Sequence, residues 1–253
     1  MKIVVIGTGH VAVVLSVKLK AAGHRILQVF GRNRLAAAVL ADACDASTCA
    51  SWDDITPNAE LYIIAVADQA LTGNAIHLAV ENQLVVHTAG AVSIDVLKGM
   101  SSSYGVLYPL QTIRKEVVPT PAIPFMIDAN TAAGRETLAA LASTISQKVV
   151  FANDTQRLQY HLCAVITNNF SNYLYVLAED YCQRQGLDFT NLLPLLAETS
   201  RRLQQFSPRQ VQTGPAVRGD GTTIQRHIQL LENEPALFGL YKMFSDQVRA
   251  FNW

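Results

Sequence analysis

Lys2-Ile-Val-Val-Ile-Gly7-Thr8-Gly9-His10-Val11-Ala12 decides the fold. An apolar strand runs straight into a Gly-x-Gly-x-x-Ala turn, and an apolar run with helical spacing follows. Gly7 permits the turn out of the strand, and Gly9 keeps a Cβ out of the path of an approaching pyrophosphate. Ala12 is small enough for the helix to pack on the sheet. Free N–H groups and the positive end of the helix dipole favour an anion at that point. The pattern gains weight from its strand–turn–helix context. Gly7, Thr8, Gly9, His10 and Val11 are therefore candidate dinucleotide contacts.

Outward from this turn, apolar runs predict strands at 2–6, 25–30, 61–66, 84–88 and 104–108, a short strand at 42–46 and another near 124–128. Helical patterns fill 10–22, 33–41, 68–80 and 93–99, and Ala129–Gln147 reads as a further helix before a strand at Lys148–Ala152. Strands alternating with helices of this length indicate right-handed βαβ units, an α/β fold with a doubly wound parallel sheet of the Rossmann type. Beyond residue 152 only helical periodicity remains. Asp154 to Gln185 reads as one long helix stopped by Gly186. A second spans 190–205, broken by Ser207-Pro208. A third follows Gly219-Asp220-Gly221, with Asp220 or Thr222 as N-cap, and a fourth covers 235–251. The expected division is a dinucleotide-binding domain at 1–152 and an all-α domain at 153–253.

The second strand ends without the Asp or Glu that holds an unphosphorylated ribose. Its sequel is Gly31-Arg32-Asn33-Arg34, where guanidinium groups can neutralise a 2′-phosphate. This selects NADP over NAD, with Arg32 and Asn33 as contacts. The fourth predicted strand ends Val66-Ala67-Asp68, which offers backbone contacts from Val66 and Ala67 and a helix cap from Asp68.

Further chemistry sits at later strand ends. His87, followed by Thr88-Ala89-Gly90, falls where a nicotinamide should lie, and Gln111 emerges from the loop after Tyr108-Pro109 as an amide contact. On the long helix, Leu162, Val165, Ile166, Phe170, Tyr173, Leu174 and Leu177 mark a stripe expected to be buried. His161 edges that stripe as a proton donor, and Asn169 lies within it, needing a hydrogen-bond partner if buried. Arg218 and Asp220, in a Gly- and Thr-rich segment before a helix, are candidate substrate contacts.

The chain has 253 residues, half of them apolar and 16% charged, with no net charge. This excludes a disordered chain, and no basic patch argues for nucleic acid or a membrane surface. Val11–Val17 is too short and wrongly flanked for a leader. Cys44, Cys49, Cys163 and Cys182 form no Cys-x-x-Cys pair, so buried reduced thiols in the cytoplasm are expected and a metal is not.

On His87-Thr88-Ala89-Gly90, Tyr108-Pro109-Leu110-Gln111-Thr112 and Thr213-Gly214-Pro215-Ala216-x-Arg218-Gly219-Asp220 with His227 following, the chain resembles a bacterial family of Rossmann-like proteins. That family is named for NADP oxidoreductase activity and carries a C-terminal helical domain of unknown function; the resemblance spans essentially the whole chain. More distantly it looks like pyrroline-5-carboxylate reductase, ketopantoate reductase and the deazaflavin-dependent NADP reductases. The resemblance implies a nicotinamide-binding domain, a helical domain that often builds a homodimer, and a cleft between them. It also exposes a departure. Ketopantoate reductases place a lysine and an asparagine one turn apart on the first long helix, and the matching positions here are His161 and Val165, with Asn169 a turn further on. The expected activity is hydride transfer between NADP and a small C=O or C=N group in that cleft, with His161 or His87 as general acid and Arg218 pairing a substrate carboxylate. The alternatives are an NADP(H)-binding sensor or scaffold without turnover, and hydride exchange with a deazaflavin.

Overall fold

The computed structural model describes residues 1–73 and 75–251 and divides into two compact units, Met1–Thr167 and Asn168–Trp253. The first is built on strands β1 (Lys2–Ile6), β2 (Arg25–Phe30), β3 (Ser47–Thr48), β4 (Leu61–Ile64), β5 (Leu84–His87), β6 (Tyr104–Pro109), β7 (Phe125–Ala129) and β8 (Val149–Phe151). They form one eight-stranded sheet in the order β3-β2-β1-β4-β5-β6-β7-β8. Helices α1 (His10–Ala21), α2 (Arg34–Ala43), α3 (Asp68–Thr72), α4 (Ala132–Ser143) and α5 (Asp154–Ala164) complete the unit.

The chain leaves β1 toward β2 and β3 on one side, then returns past β1 to add β4, β5 and β6 on the other. This reversal is the doubly wound arrangement, and it opens a crevice at the carboxyl ends of β1 and β4. Ile6 pairs with Ile64, Ile64 with His87, and His87 with Val106, so the loops after β1, β4 and β5 all emerge at one edge. Both faces of the sheet are covered. Leu15, Leu19, Leu40 and Leu138 pack on Ile3, Val5 and Ile63 on one face, and Leu71, Leu78 and Leu97 pack on Val4, Ile6 and Val85 on the other. Strands buried on both faces read as continuous apolar runs, which is why β1 and β4 carry so few polar residues.

Several expectations are corrected. The sheet is not wholly parallel, because β7 runs antiparallel to β6 while β8 lies parallel to β7. The strand expected at 42–46 is instead the end of α2; Asp45 turns the chain at φ +52°, and β3 follows at Ser47–Thr48. The helix expected over 68–80 ends after five residues, where Gly73 leaves the helical conformation; Asn74 lies outside the described residues. Asp68 does not cap that helix: Ala67 is the N-cap, with no side-chain cap, and Asp68 is its first residue. The stretch 93–99 forms only a 3₁₀ turn at Ile94–Leu97. Ala129 still belongs to β7, and α4 starts at Ala132 behind a Thr131 cap.

The second unit contains α6 (Ser171–Arg184), α7 (Leu193–Leu203), α8 (Pro208–Val211), α9 (Gly221–Leu230) and α10 (Pro235–Ala250). Asp220 is the α9 N-cap, accepting from the Thr223 amide at 3.0 Å. Gly186 follows α6 at φ +68°, where an L residue would be strained. Between α5 and α6 the backbone widens into a π-helical stretch at Val165–Phe170. That stretch breaks the 100° arithmetic on which the long-helix stripe rested. The stripe is not buried: Leu162, Ile166, Phe170 and Tyr173 are each more than half exposed, and Asn169 is exposed too.

Candidate active site

The crevice begins at the turn after β1. Gly7 has φ +128°, and a Cβ there would lie 2.1 Å from the Ala65 carbonyl oxygen, so only glycine fits. Gly9 has open space where its Cβ would be. It is also the N-cap of α1, with no side chain satisfying the first N–H groups and no acidic residue in the first turn. An anion is the natural partner of such a helix end. Gly31 completes the turn from the other side, since a Cβ there would meet Thr8 Cγ2 at 2.6 Å.

Gly7, Thr8, Gly9, Arg32, Asn33, Val66 and Ala67 all line one cavity of about 650 Å³. Arg32 is exposed and makes no ion pair among the described residues. The Asn33 side chain is already used, capping α2 by accepting from the Ala36 amide at 3.0 Å. His10 and Val11 do not line the cavity. His10 Nδ1 accepts from the Lys115 amide at 3.3 Å, and Val11 packs against the core. Sequence reasoning missed Phe30 and Trp52, which stand in the same cavity with ring centroids 4.4 Å apart. An aromatic pair beside the end of β2 makes an apolar wall for a planar base. The residues present therefore fit a dinucleotide: a phosphate-ready helix end, an unpaired guanidinium and an apolar wall.

A second group gathers at the carboxyl ends of β5 and β6. His87 is fully buried; its Nδ1 accepts from the Ala89 amide at 3.1 Å, and its Nε2 has no partner among the described residues. Burial, reinforced by the nearby Arg157 cation and opposed by Asp154 and the Ser93 backbone, brings its pKa down to about 4. The ring is therefore neutral at physiological pH and, with Nδ1 accepting, carries its proton on Nε2.

Tyr108 hydroxyl and His161 Nδ1 lie 3.0 Å apart, with the rings edge to face. Gly90 makes room for them: a Cβ there would lie 2.8 Å from Tyr108 Cζ and 2.9 Å from His161 Nδ1. Burial, then the Asp68 carboxylate, push the Tyr108 phenol upward, and Arg157 pulls it back. Tyr108 thus keeps its proton at neutral pH. Gln111 is occupied by its own loop, donating to the Ala122 carbonyl at 3.1 Å and accepting from the Thr112 amide at 2.9 Å. Asn169, Arg218 and Asp220 belong to the helical unit, where Asn169 and Arg218 are exposed and Asp220 is committed to its capping role.

Fold and site together define a two-unit protein with a Rossmann-type crevice and a tyrosine–histidine couple at the same sheet edge. Residues 1–111 match the model for a Rossmann-like domain, and residues 123–248 match that for DUF2520, a domain of unknown function. The crystal structure of putative NADP oxidoreductase BF3122 from Bacteroides fragilis is 36% identical, with TM-score 0.86, over 99% of this chain and 98% of that one. The chain belongs to this Rossmann-like and DUF2520 family. Protein TM1727 from Thermotoga maritima shares the fold at 22% identity and TM-score 0.80, covering 98% of each chain. The imine reductase from Myxococcus stipitatus in complex with NADP+ shares it at 14% identity and TM-score 0.68, over 98% of this chain and 93% of that one. No curated protein matches by sequence. Among the described residues, no helix is long and apolar enough to cross a membrane.

Proposed function

We propose that the protein is an NADP-dependent oxidoreductase acting on a small C=O or C=N substrate. The observation that carries this reading is the pairing of Tyr108 with His161 at the sheet edge served by the Gly7–Gly9 turn. Two similar proteins named for NADP or bound to it support it. Gly7, Thr8, Gly9, Val66 and Ala67 would line the dinucleotide, the α1 N-terminus would hold its pyrophosphate, and Arg32 would neutralise the 2′-phosphate. The bound dinucleotide supplies a hydride from C4 of its nicotinamide. Tyr108 holds the proton that the substrate oxygen or nitrogen needs, and His161 Nδ1 replaces it. His87, buried and neutral, is assigned to shaping the loop after β5 rather than to donating a proton. Asn169 and Arg218 are proposed as an amide and a guanidinium contact of the substrate.

A second copy of the chain is the proposed partner. The exposed Leu162, Ile166, Phe170 and Tyr173 give the helices an apolar face of the kind that marks an association surface. Four free cysteines fit a reducing compartment such as the cytoplasm.

The test is NADPH binding by fluorescence together with NADPH oxidation against a panel of keto acids, aldehydes and imines. Turnover that falls on Tyr108→Phe and His161→Ala, with NADPH binding retained, supports the assignment. Tight NADPH binding with no turnover across the panel would replace it with a cofactor sensor.

A further inference from the structure

Arg157 is among the largest fully buried side chains of the described residues, at 1% exposure. Its Nη2 donates to the Val92 carbonyl and, at 2.8 Å, to Asp154 Oδ1, while Nε and Nη1 have no partner among the described residues. A buried guanidinium with unspent donors is a poor adhesive, and an apolar residue of similar volume would serve stability as well or better. Its placement indicates another use. Asp154, Arg157 and His161 stand at i, i+3 and i+7, on one face of α5. They meet the loop after β5 in reverse order. Asp154 Oδ1 accepts from the Ile94 amide at 3.3 Å, Arg157 holds Val92, and His161 reaches Gly90 and Tyr108. The helix and the loop thus run antiparallel, fastened at successive points, and His161 is the last of them.

We infer that Arg157 is a positioning residue for the Tyr108–His161 couple, fixing the rotation of α5 against the loop after β5 and placing a buried positive charge beside His87 and Tyr108. The inference deepens the proposed oxidoreductase reading and rests on it for its catalytic consequence. The charged and titratable groups around this cation are Asp154 on its own helix, His87 on β5, Tyr108 on β6, and Asp68, which acts on Tyr108 from α3. Burial works against ionisation of Asp154, yet hydrogen bonds from Ser93 and Arg157 hold its carboxyl below the usual range. It therefore stays anionic and keeps the guanidinium oriented.

The experiment compares Arg157→Met, Arg157→Lys and Asp154→Asn in full-length protein labelled with ¹⁵N and ¹³C in histidine. In Arg157→Met the His161 Nδ1 resonance is expected to lose its hydrogen-bonded position, and the His87 titration to move up from about 4. NADPH affinity is expected to be unchanged, because Arg157 lies outside the nucleotide cavity. Arg157→Lys restores the charge felt by His87 without restoring the His161 signal, a split that a general loss of packing would not produce. Where a substrate is turned over, kcat falls about tenfold or more with KM nearly constant, the mark of misplaced catalytic groups. A folded Arg157→Met protein with both histidine signals unmoved would overturn the inference. If Arg157→Met does not fold, Asp154→Asn decides: a displaced His161 signal supports positioning, and an unmoved one overturns it. Wild-type protein without turnover would instead sink the oxidoreductase reading, leaving the histidine signals to judge Arg157 separately.

Discussion

Replacing His87 by Asn should flatten the acid limb of the stability profile. The buried ring titrates at about 4 against 6.5 for an ordinary imidazole. Between these values the unfolded chain binds a proton that the folded one does not, so stability rises with pH through the window and falls as pH drops through it. At about 1.4 kcal/mol per pH unit, the gap corresponds to about 3 kcal/mol lost once the pH reaches about 4, with about 2 kcal/mol already gone by about pH 5. An asparagine at this position keeps an acceptor for the Ala89 amide but cannot titrate. Urea unfolding of wild type and His87→Asn at a series of pH values isolates the effect, because other acid-titrating groups cancel in the difference. The variant is expected to be less stable above about pH 7, and the difference to shrink as the pH falls. A difference that stays constant from pH 7 to 5 would refute the claim that the folded protein keeps this imidazole neutral.

Arg32→Ala should weaken NADPH binding by about tenfold or more while leaving NADH little changed, as loss of a charge-assisted hydrogen bond to phosphate predicts; equal weakening in paired fluorescence titrations would remove the 2′-phosphate argument. Gly7→Ala forces a Cβ against the Ala65 carbonyl at a positive φ, so thermal or urea unfolding should show a loss of about 2 kcal/mol or more. Gly90→Ala should separate Tyr108 from His161 and lower turnover with NADPH affinity retained; normal turnover would show that their contact is dispensable. Ile166→Asp with Phe170→Asp should shift the sedimentation of the protein to that of a single chain, and unchanged sedimentation would exclude this face as the association surface.

The glycine turn of the candidate nucleotide site was legible because its requirements are local. A glycine forced by φ +128° and a small residue at Ala12 leave a trace within a few positions of each other. The Tyr108–His161 couple depends on contacts between distant segments, and only one partner was visible. His161 stood out as a histidine on a helix, whereas Tyr108 figured only as part of the strand-end motif before Gln111. Arg157 drew no assignment, since nothing in its sequence neighbours announces burial. The stripe from Leu162 to Leu177 misled in the opposite direction. Its periodicity predicts a face that avoids water, yet Leu162, Ile166, Phe170 and Tyr173 are exposed and the π-helical stretch breaks the period. The reversed strand β7 was equally hidden, because an apolar run carries no direction.

That reversal has a geometric consequence for His161. Had β7 and β8 continued the parallel progression, the chain would leave β8 at the rim where β1, β4 and β5 end, and α5 would descend away from it. Because β8 instead ends opposite the middle of β7, with Phe151 beside Ile127, α5 starts low beside Ile94 and climbs toward the rim. Its length then works as a ruler. At 1.5 Å and 100° per residue, the height and compass bearing of the imidazole are set by how many residues separate it from Asp154 and Arg157, which fasten the helix to the loop after β5. Adding a single residue between Arg157 and His161 would leave every strand and every glycine in place, yet swing His161 through about a quarter turn and out of reach of Tyr108.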